Sequence, residues 1–411
     1  MRTARILAQG DELTTGATVD TNSAWLAEQL GRRGVRVLGL CAAPDDVDLL
    51  ARMLADAARG CDLLVSGGGL GPTTDDVTAE AAARAAGVPL VESPEALAQI
   101  RERFARMGWP MSPSNAKQAL VPRGAEVLEN PAGTAPGFAL PLGSTRAFFF
   151  PGVPRELRIM VERHLVPWLE AGGATPLLRR RFHVCGVGES LLQDRLADLT
   201  PPPGVRLGYK TWLPYNTVVV YGAAESEEDR ARFERTCAEV RGRLGEDRFG
   251  EDDETLPGVT GRLLADRGWT LGLAESCTAG GAAALVTETP GSSAWFRGGV
   301  VAYANEVKRG LLGVPAELLE RHGAVSEECA EAMAAGVCRA VGAEVGVSIT
   351  GIAGPDGGTA DKPVGTVCFG LALPGGTRTR TVRFVLPGRD RVRALAAAAA
   401  LEWLRRQLAR P

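Results

Sequence analysis

Two spacings of apolar residues take turns along the first 168 positions of the chain. Short apolar runs of strand type cover 4–9, 35–40 and 62–66. Between them lie stretches with helical spacing at 22–30, 46–59 and 75–86, two of them stopped by Gly31 and Gly87. Strands alternating with helices predict a mostly parallel sheet covered by helices on both faces, with ligands at the carboxyl ends of the strands. After the linker-like Ala-Gly-Gly-Ala at 171–174 the pattern changes. Strands at 180–185 and 217–221, helices at 189–199 and 227–244, and an intervening Pro-Pro-Pro-Gly predict a small α+β domain over 169–253 with a spacer or dimerisation role. An acidic turn at 251–254 closes it. The last segment, 254–411, is read as a third domain of α/β type. It has a helix at 259–267, strands at 270–274 and 345–349, and a long Ala-rich helix at 391–408.

At 411 residues the chain exceeds one ordinary core. Its net charge of −3 and lack of any basic run argue against nucleic acid as a direct partner. The start does not resemble a leader, and no apolar stretch reaches the roughly 20 residues that span a bilayer. The expectation is a cytoplasmic protein with no membrane contact. The eight cysteines form no C-x-x-C pair and read as free thiols rather than a zinc site. Only four of 46 basic residues are lysine: Lys117, Lys210, Lys308 and Lys362. Arginine replaces lysine where a surface charge suffices, but not where an amine must lose its proton. The survivors are therefore candidates for chemistry, with chance as the alternative.

Residues 274–281 (Ala-Glu-Ser-Cys-Thr-Ala-Gly-Gly) follow a strand and lead into a helix. Ser276 there presents a hydroxyl at the carboxyl edge of the sheet, with backbone amides and a helix dipole for a developing oxyanion. A plain capping turn is the competing reading. A serine hydroxyl needs a base. His322 sits in a helix C-terminal context, which weakens a Ser-His-Asp arrangement. Lys308 falls on the first turn of a helix capped by Asn305. Partial burial and the helix terminus both lower its pKa, so it can serve as general base with the Tyr303 hydroxyl as relay. Alternatively Tyr303 is core and Lys308 a surface charge. The glycine-rich loop 350–358, with Thr350, Gly351 and Gly354, suits a phosphate, and Arg389 can clamp the same group; a folded loop with no ligand is the alternative.

In the first segment, 66–76 (Ser-Gly-Gly-Gly-Leu-Gly-Pro-Thr-Thr-Asp-Asp) follows a buried strand. Gly68, Gly69, Gly71 and Thr73 suit a phosphate before a helix. Asp75 and Asp76 would repel it unless a divalent cation bridges carboxylate and diphosphate; otherwise they merely complement the helix dipole. Asp11 after the first strand, the loop 130–137 with Asn130, Gly133 and Gly137, and the loop after Phe150 should gather at the same sheet edge.

Together these motifs resemble the CinA family across nearly the whole chain. Its C-terminal domain includes nicotinamide mononucleotide (NMN) amidases. Its N-terminal domain is similar in fold to molybdopterin-binding proteins and is linked to a metal-dependent ADP-ribose pyrophosphatase. The resemblance implies a nucleophilic Ser276 assisted by Tyr303 and Lys308. It also implies a nucleotide site with Glu275, Cys277, Thr278, Thr350, Gly351, Gly354 and Arg389, and a homodimer. No cofactor is expected for the amidase, and a divalent metal at Asp75, Asp76 and Asp11 for the other domain. Ala279 stands where the family usually has Gly, and Leu13-Thr14 where Leu-Leu is commoner. Two other readings stay open. The N-terminal half can be a pterin- or nucleotide-binding module without catalysis, or the chain a competence or recombination partner.

Overall fold

The computed structural model describes residues 2–173, 177–385 and 388–409, so Ala174 of the expected linker lies outside the described residues. The chain divides into two compact units: Met1–Leu178 with Ala223–Glu227, and Arg179–Gly222 with Glu228–Pro411.

The first unit is built on strands β1 (Thr3–Gln9), β2 (Arg36–Ala43) and β3 (Leu63–Gly67), a small ladder of β4 (Leu90–Glu92) with β5 (Leu120–Pro122), and β6 (Glu126–Leu128), β7 (Gly137–Leu142) and β8 (Thr145–Phe150). The main sheet has the order β2-β1-β3-β8-β7-β6. The first four of these are parallel, β7 is antiparallel to β8, and β6 is antiparallel to β7. Alternate side chains point to opposite faces, so one sheet feeds two cores. Leu7, Leu64 and Phe149 pack against helices Val47–Ala58 and Thr78–Ala86, while Ile6, Val65 and Phe150 pack against Thr21–Arg32 and Pro154–Met160. Near-continuous apolar runs such as β3, buried at every position, are what burial on both faces demands. Asp20 and Asp46 cap two of the helices, accepting from the amides of Ser23 and Leu49. The helix expected over 75–86 begins three residues later, at Thr78, which leaves Asp75 and Asp76 in the preceding turn.

The second unit carries two sheets. One has the order β10-β11-β9-β12, from β9 (Leu178–Cys185), β10 (Val205–Trp212), β11 (Tyr215–Gly222) and β12 (Arg248–Glu251). The hairpin strand β10 has no counterpart in the sequence reading. It is largely exposed, and its mixed polar composition gives no clean alternation. The other sheet, β14-β13-β15-β16-β17, comprises β13 (Leu271–Glu275), β14 (Phe296–Val301), β15 (Val345–Gly351), β16 (Thr366–Leu373) and β17 (Gly376–Arg383). Its first three members are parallel, β16 is antiparallel to β15, and β17 is antiparallel to β16. Cys185, Tyr215 and Phe249 of the small sheet share one apolar cluster with Leu271, Val347 and Trp403. Arg405 and Arg406 of the last helix, Arg389–Ala409, reach the Glu246 carbonyl and the Asp247 carboxylate at 2.6 Å each. On the opposite face of the larger sheet, helix Glu327–Val341 sits so close that a Cβ on Gly346 would lie 2.1 Å from the Ala334 carbonyl oxygen. That contact fixes the layer carrying Ala302, Leu312 and Met333, and with it the helix Asn305–Leu312 that bears Lys308. No helix among the described residues is long and apolar enough to cross a membrane.

Candidate functional site

Ser276 lies one residue beyond β13, the strand flanked by β14 and β15, at the carboxyl edge expected for ligands. Its amide donates to the Ile349 carbonyl at 2.8 Å, which ties the turn to the end of β15. Lys308 follows β14 on the neighbouring helix and is 1% exposed. Its Nζ lies 3.1 Å from Ser276 Oγ, 2.8 Å from the Ala302 carbonyl oxygen and 3.0 Å from that of Tyr303. All three partners are neutral, so burial holds the amine below the ordinary lysine value; the weaker pull of Cys329, Cys277 and Glu306 opposes this. A neutral amine has two N–H donors and one lone pair. Both carbonyls take the N–H groups, and the lone pair then faces the serine hydroxyl. Asn305 does not cap this helix: Ala304 occupies the N-cap position, and Asn305 is the first helical residue.

The turn after Ser276 departs from the expected arrangement. Helix Gly281–Thr287 does not offer its N-terminus to a guest, because Glu275 occupies it. The Glu275 carboxylate, 2% exposed, accepts from the amides of Gly280, Ala282 and Ala283 at 3.0, 3.0 and 2.8 Å. Glu275 thus turns inward instead of lining a nucleotide site. Ala279 has φ 50°, the left-handed region that favours glycine over alanine. The Thr278 side chain is fully buried, and its Oγ1 has no hydrogen-bond partner among the described residues. Cys277 is buried beside Ser276, and burial pushes its thiol up to about 11.

Tyr303 is 58% exposed, and its hydroxyl accepts from Arg389 at 3.0 Å rather than bridging Ser276 and Lys308. The direct contact between those two needs no relay. Arg389 also donates to the Gly354 carbonyl at 2.8 Å, so one guanidinium joins the loop after β15 to Tyr303. Thr350, at the end of β15, donates to the Ala324 carbonyl at 2.7 Å and secures the loop before helix Glu327–Val341. Gly351 closes β15. Arg393, absent from the sequence reading, donates to the Thr278 carbonyl at 2.9 Å. Its signal is the spacing of four residues from Arg389, which puts both guanidinium groups on one face of the last helix. Of the other lysines, Lys117 binds the Thr73 carbonyl, Lys362 the His322 carbonyl, and Lys210 is exposed. Lysine scarcity therefore points to Lys308 alone as a buried amine.

In the first unit the expected loops do meet. A cavity of about 410 Å³ is lined by Gly10, Gly68, Gly69, Gly71, Asp75 and Asp76, by Thr134 and Ala135, and by Gly152. Glu12 and Glu156, from segments expected at this edge, line it as well, as do Gln9 and Asp45, not singled out from sequence. The glycine loop is obligatory: Gly69 has φ +63°, and a Cβ there would fall 1.6 Å from Gln9 Oε1. Thr78 donates to the Gly68 carbonyl at 2.9 Å and holds the loop down. Asn130 is structural, its Oδ1 accepting from Ala132 and Gly133 while its Nδ2 donates to Ala135 and Glu156. Gly137 opens β7.

The expected metal set is not assembled. Asp11 is engaged in a reciprocal pair with Asp45, each carboxylate accepting the other's amide at 3.1 Å, and it does not line the cavity. Asp76 accepts from the amide and hydroxyl of Thr73. Among the described residues no three His, Cys, Asp or Glu side chains converge as a metal cage requires. These residues do not fit a protein-caged cation.

The fold and site define a protein of two α/β units, one with a glycine loop over an acidic cavity, the other with a serine–lysine pair at a sheet edge. The CinA C-terminal domain profile matches residues 253–408, and that described as "Probable molybdopterin binding domain" matches 5–171. A CinA-like protein of Geobacter metallireducens is 44% identical over 412 residues, covering 99% of each chain. One of Desulforapulum autotrophicum is 43% identical over 418 residues, covering 98% of each. The crystal structure of competence damage-inducible protein A from Klebsiella pneumoniae is 39% identical to 38% of this chain, covering 96% of its own, with a TM-score of 0.37. The chain belongs to the CinA family, and its first unit has the molybdopterin-binding-like fold.

Proposed function

We propose that the second unit deamidates nicotinamide mononucleotide to nicotinate mononucleotide and ammonia. The observation that carries this reading is the 3.1 Å contact between Ser276 Oγ and the buried, charge-disfavoured amine of Lys308. Lys308 Nζ takes the hydroxyl proton as Oγ attacks the carboxamide carbon. The carbonyl π electrons move onto its oxygen, within reach of the turn's free amides. When the intermediate collapses, the C–N bond breaks and the Lys308 ammonium protonates the departing nitrogen as ammonia. Water, deprotonated by the same amine, then hydrolyses the acyl-serine. Arg389, with donors left beyond those to Tyr303 and Gly354, serves the phosphate. The test is ammonia release from NMN by the full chain and by Ser276→Ala. The reading expects release by the first and none by the second, and unchanged turnover in Ser276→Ala overturns it.

A second reading concerns the first unit. Its cavity combines a glycine loop with the carboxylates of Glu12, Asp45, Asp75, Asp76 and Glu156. Such a site rejects a bare diphosphate and accepts one carried in with a divalent cation, which needs only one or two protein carboxylates. This favours hydrolysis of a nucleoside diphosphate-linked sugar, namely ADP-ribose to AMP and ribose 5-phosphate. Product analysis with ADP-ribose and metal, against Asp76→Ala and excess chelator, tests it. Binding without product would assign the unit to ligand capture alone.

A further inference from the structure

Ser276 is followed by a turn whose amides are nearly all spoken for. The Ser276 amide goes to Ile349, that of Ala279 to the Ser276 carbonyl at 3.1 Å, and that of Gly281 to the Thr278 carbonyl at 3.1 Å. The amides of Gly280, Ala282 and Ala283 go to Glu275. Among the described residues, the amide of Thr278 is left in this turn without an acceptor, and that of Cys277 meets only its own thiol. A helix start leaves its first amides open and attracts an anion, so without Glu275 a developing negative charge would have several competing donors nearby. The carboxylate removes that competition. Its bonds also hold Ala279 and Gly280 in the left-handed region, at φ 50° and 91°, a conformation alanine adopts only under constraint.

We propose that Glu275 is a positioning residue for the amidase reaction: by binding the amides of Gly280, Ala282 and Ala283 it sets the turn so that those of Cys277 and Thr278 receive the oxyanion. This rests on the amidase reading. Glu275 touches neither substrate nor amine. Its loss should therefore slow the chemical step and leave both ground-state binding and the titration of Lys308 alone.

The experiment measures ammonia release from NMN by the full chain as wild type, Ser276→Ala, Glu275→Gln and Gly280→Ala. A glutamine offers one acceptor oxygen and turns an N–H₂ toward the remaining amides. Gly280→Ala disfavours the left-handed conformation without a severe clash, the nearest atom to the new Cβ being Val301 Cγ2 at 3.7 Å. Removing an oxyanion donor costs about 10²–10³ in kcat, so a displaced pair should cost at least ~10-fold. The expected result is that loss in kcat for both variants, with KM within about twofold and the pH midpoint of kcat/KM unmoved. Unchanged kcat, or a raised KM as the main effect, overturns the inference. If Glu275→Gln fails to fold, Gly280→Ala decides alone by the same criteria. Unchanged turnover in Ser276→Ala would instead remove the amidase reading itself, so the two failures are told apart.

Discussion

Replacing Lys308 by arginine keeps a cation in the site and removes the one state the reaction needs. A guanidinium stays protonated throughout the accessible pH range, so it has no lone pair to offer Ser276 Oγ. General-base catalysis contributes about 10²–10⁴ in rate, or about 3–5.5 kcal/mol at ~1.4 kcal/mol per tenfold. The whole of that contribution is at stake, because the amine is 3.1 Å from the hydroxyl and no histidine takes part. The pH profile sharpens the expectation. Burial lowers the Lys308 pKa, and only the neutral amine acts. Wild-type kcat/KM should therefore rise with pH and level off below lysine's ordinary 10.5, whereas residual Lys308→Arg activity should show no such rise. The assay is steady-state ammonia release from NMN across the alkaline range, with circular dichroism to verify folding. A folded Lys308→Arg that keeps more than about a tenth of wild-type kcat/KM, or the same pH midpoint, refutes the assignment.

Other consequences can be measured directly. Burial of Lys308 penalises the charged form, so the unfolded chain binds the extra proton between the folded midpoint and 10.5. Its stabilising contribution is complete above 10.5 and is lost as pH falls through the folded midpoint. Urea midpoints should accordingly climb with pH more steeply in wild type than in Lys308→Met, and parallel curves would contradict this. Ala279→Gly relieves a left-handed alanine at about 1–2 kcal/mol but adds about 0.4–1 kcal/mol of unfolded-state entropy. It should raise stability by up to ~1.5 kcal/mol in urea titration with activity kept, and clear destabilisation would show that φ 50° is not imposed. Arg389→Ala should raise KM for NMN by about tenfold while leaving nicotinamide riboside, which lacks the phosphate, unaffected; equal effects on both would deny Arg389 a phosphate role. Cys277, with its thiol pushed up to about 11, should resist iodoacetamide at pH 8 while the exposed Cys41 reacts first.

Much of the fold was legible because burial on both faces of a parallel sheet writes itself as unbroken apolar strands, β3 being the plainest. Strands β10 and β17 were not, since their exposed polar positions carry no such pattern. In the site, residue type exposed the partners: a serine at a strand end and a lysine in an arginine-rich chain. Orientation was beyond reach. Nothing in the order Glu-Ser-Cys-Thr reveals that the glutamate folds back onto three amides, or that Tyr303 meets Arg389 instead of Ser276. The acidic cavity shows the same division. Glycines marked the loop, but the pairing of Asp11 with Asp45 depends on the adjacency of β1 and β2, which only the folded sheet supplies.

The covalent step of the proposed amidase reaction can be observed directly. Wild-type chain mixed with NMN, quenched in acid during turnover and measured by intact-mass and peptide mass spectrometry, should carry a nicotinoyl-mononucleotide ester on the peptide containing Ser276. Ser276→Ala should carry none. Steady ammonia release with no adduct on that peptide at any quench time, together with full turnover by Ser276→Ala, would contradict the account.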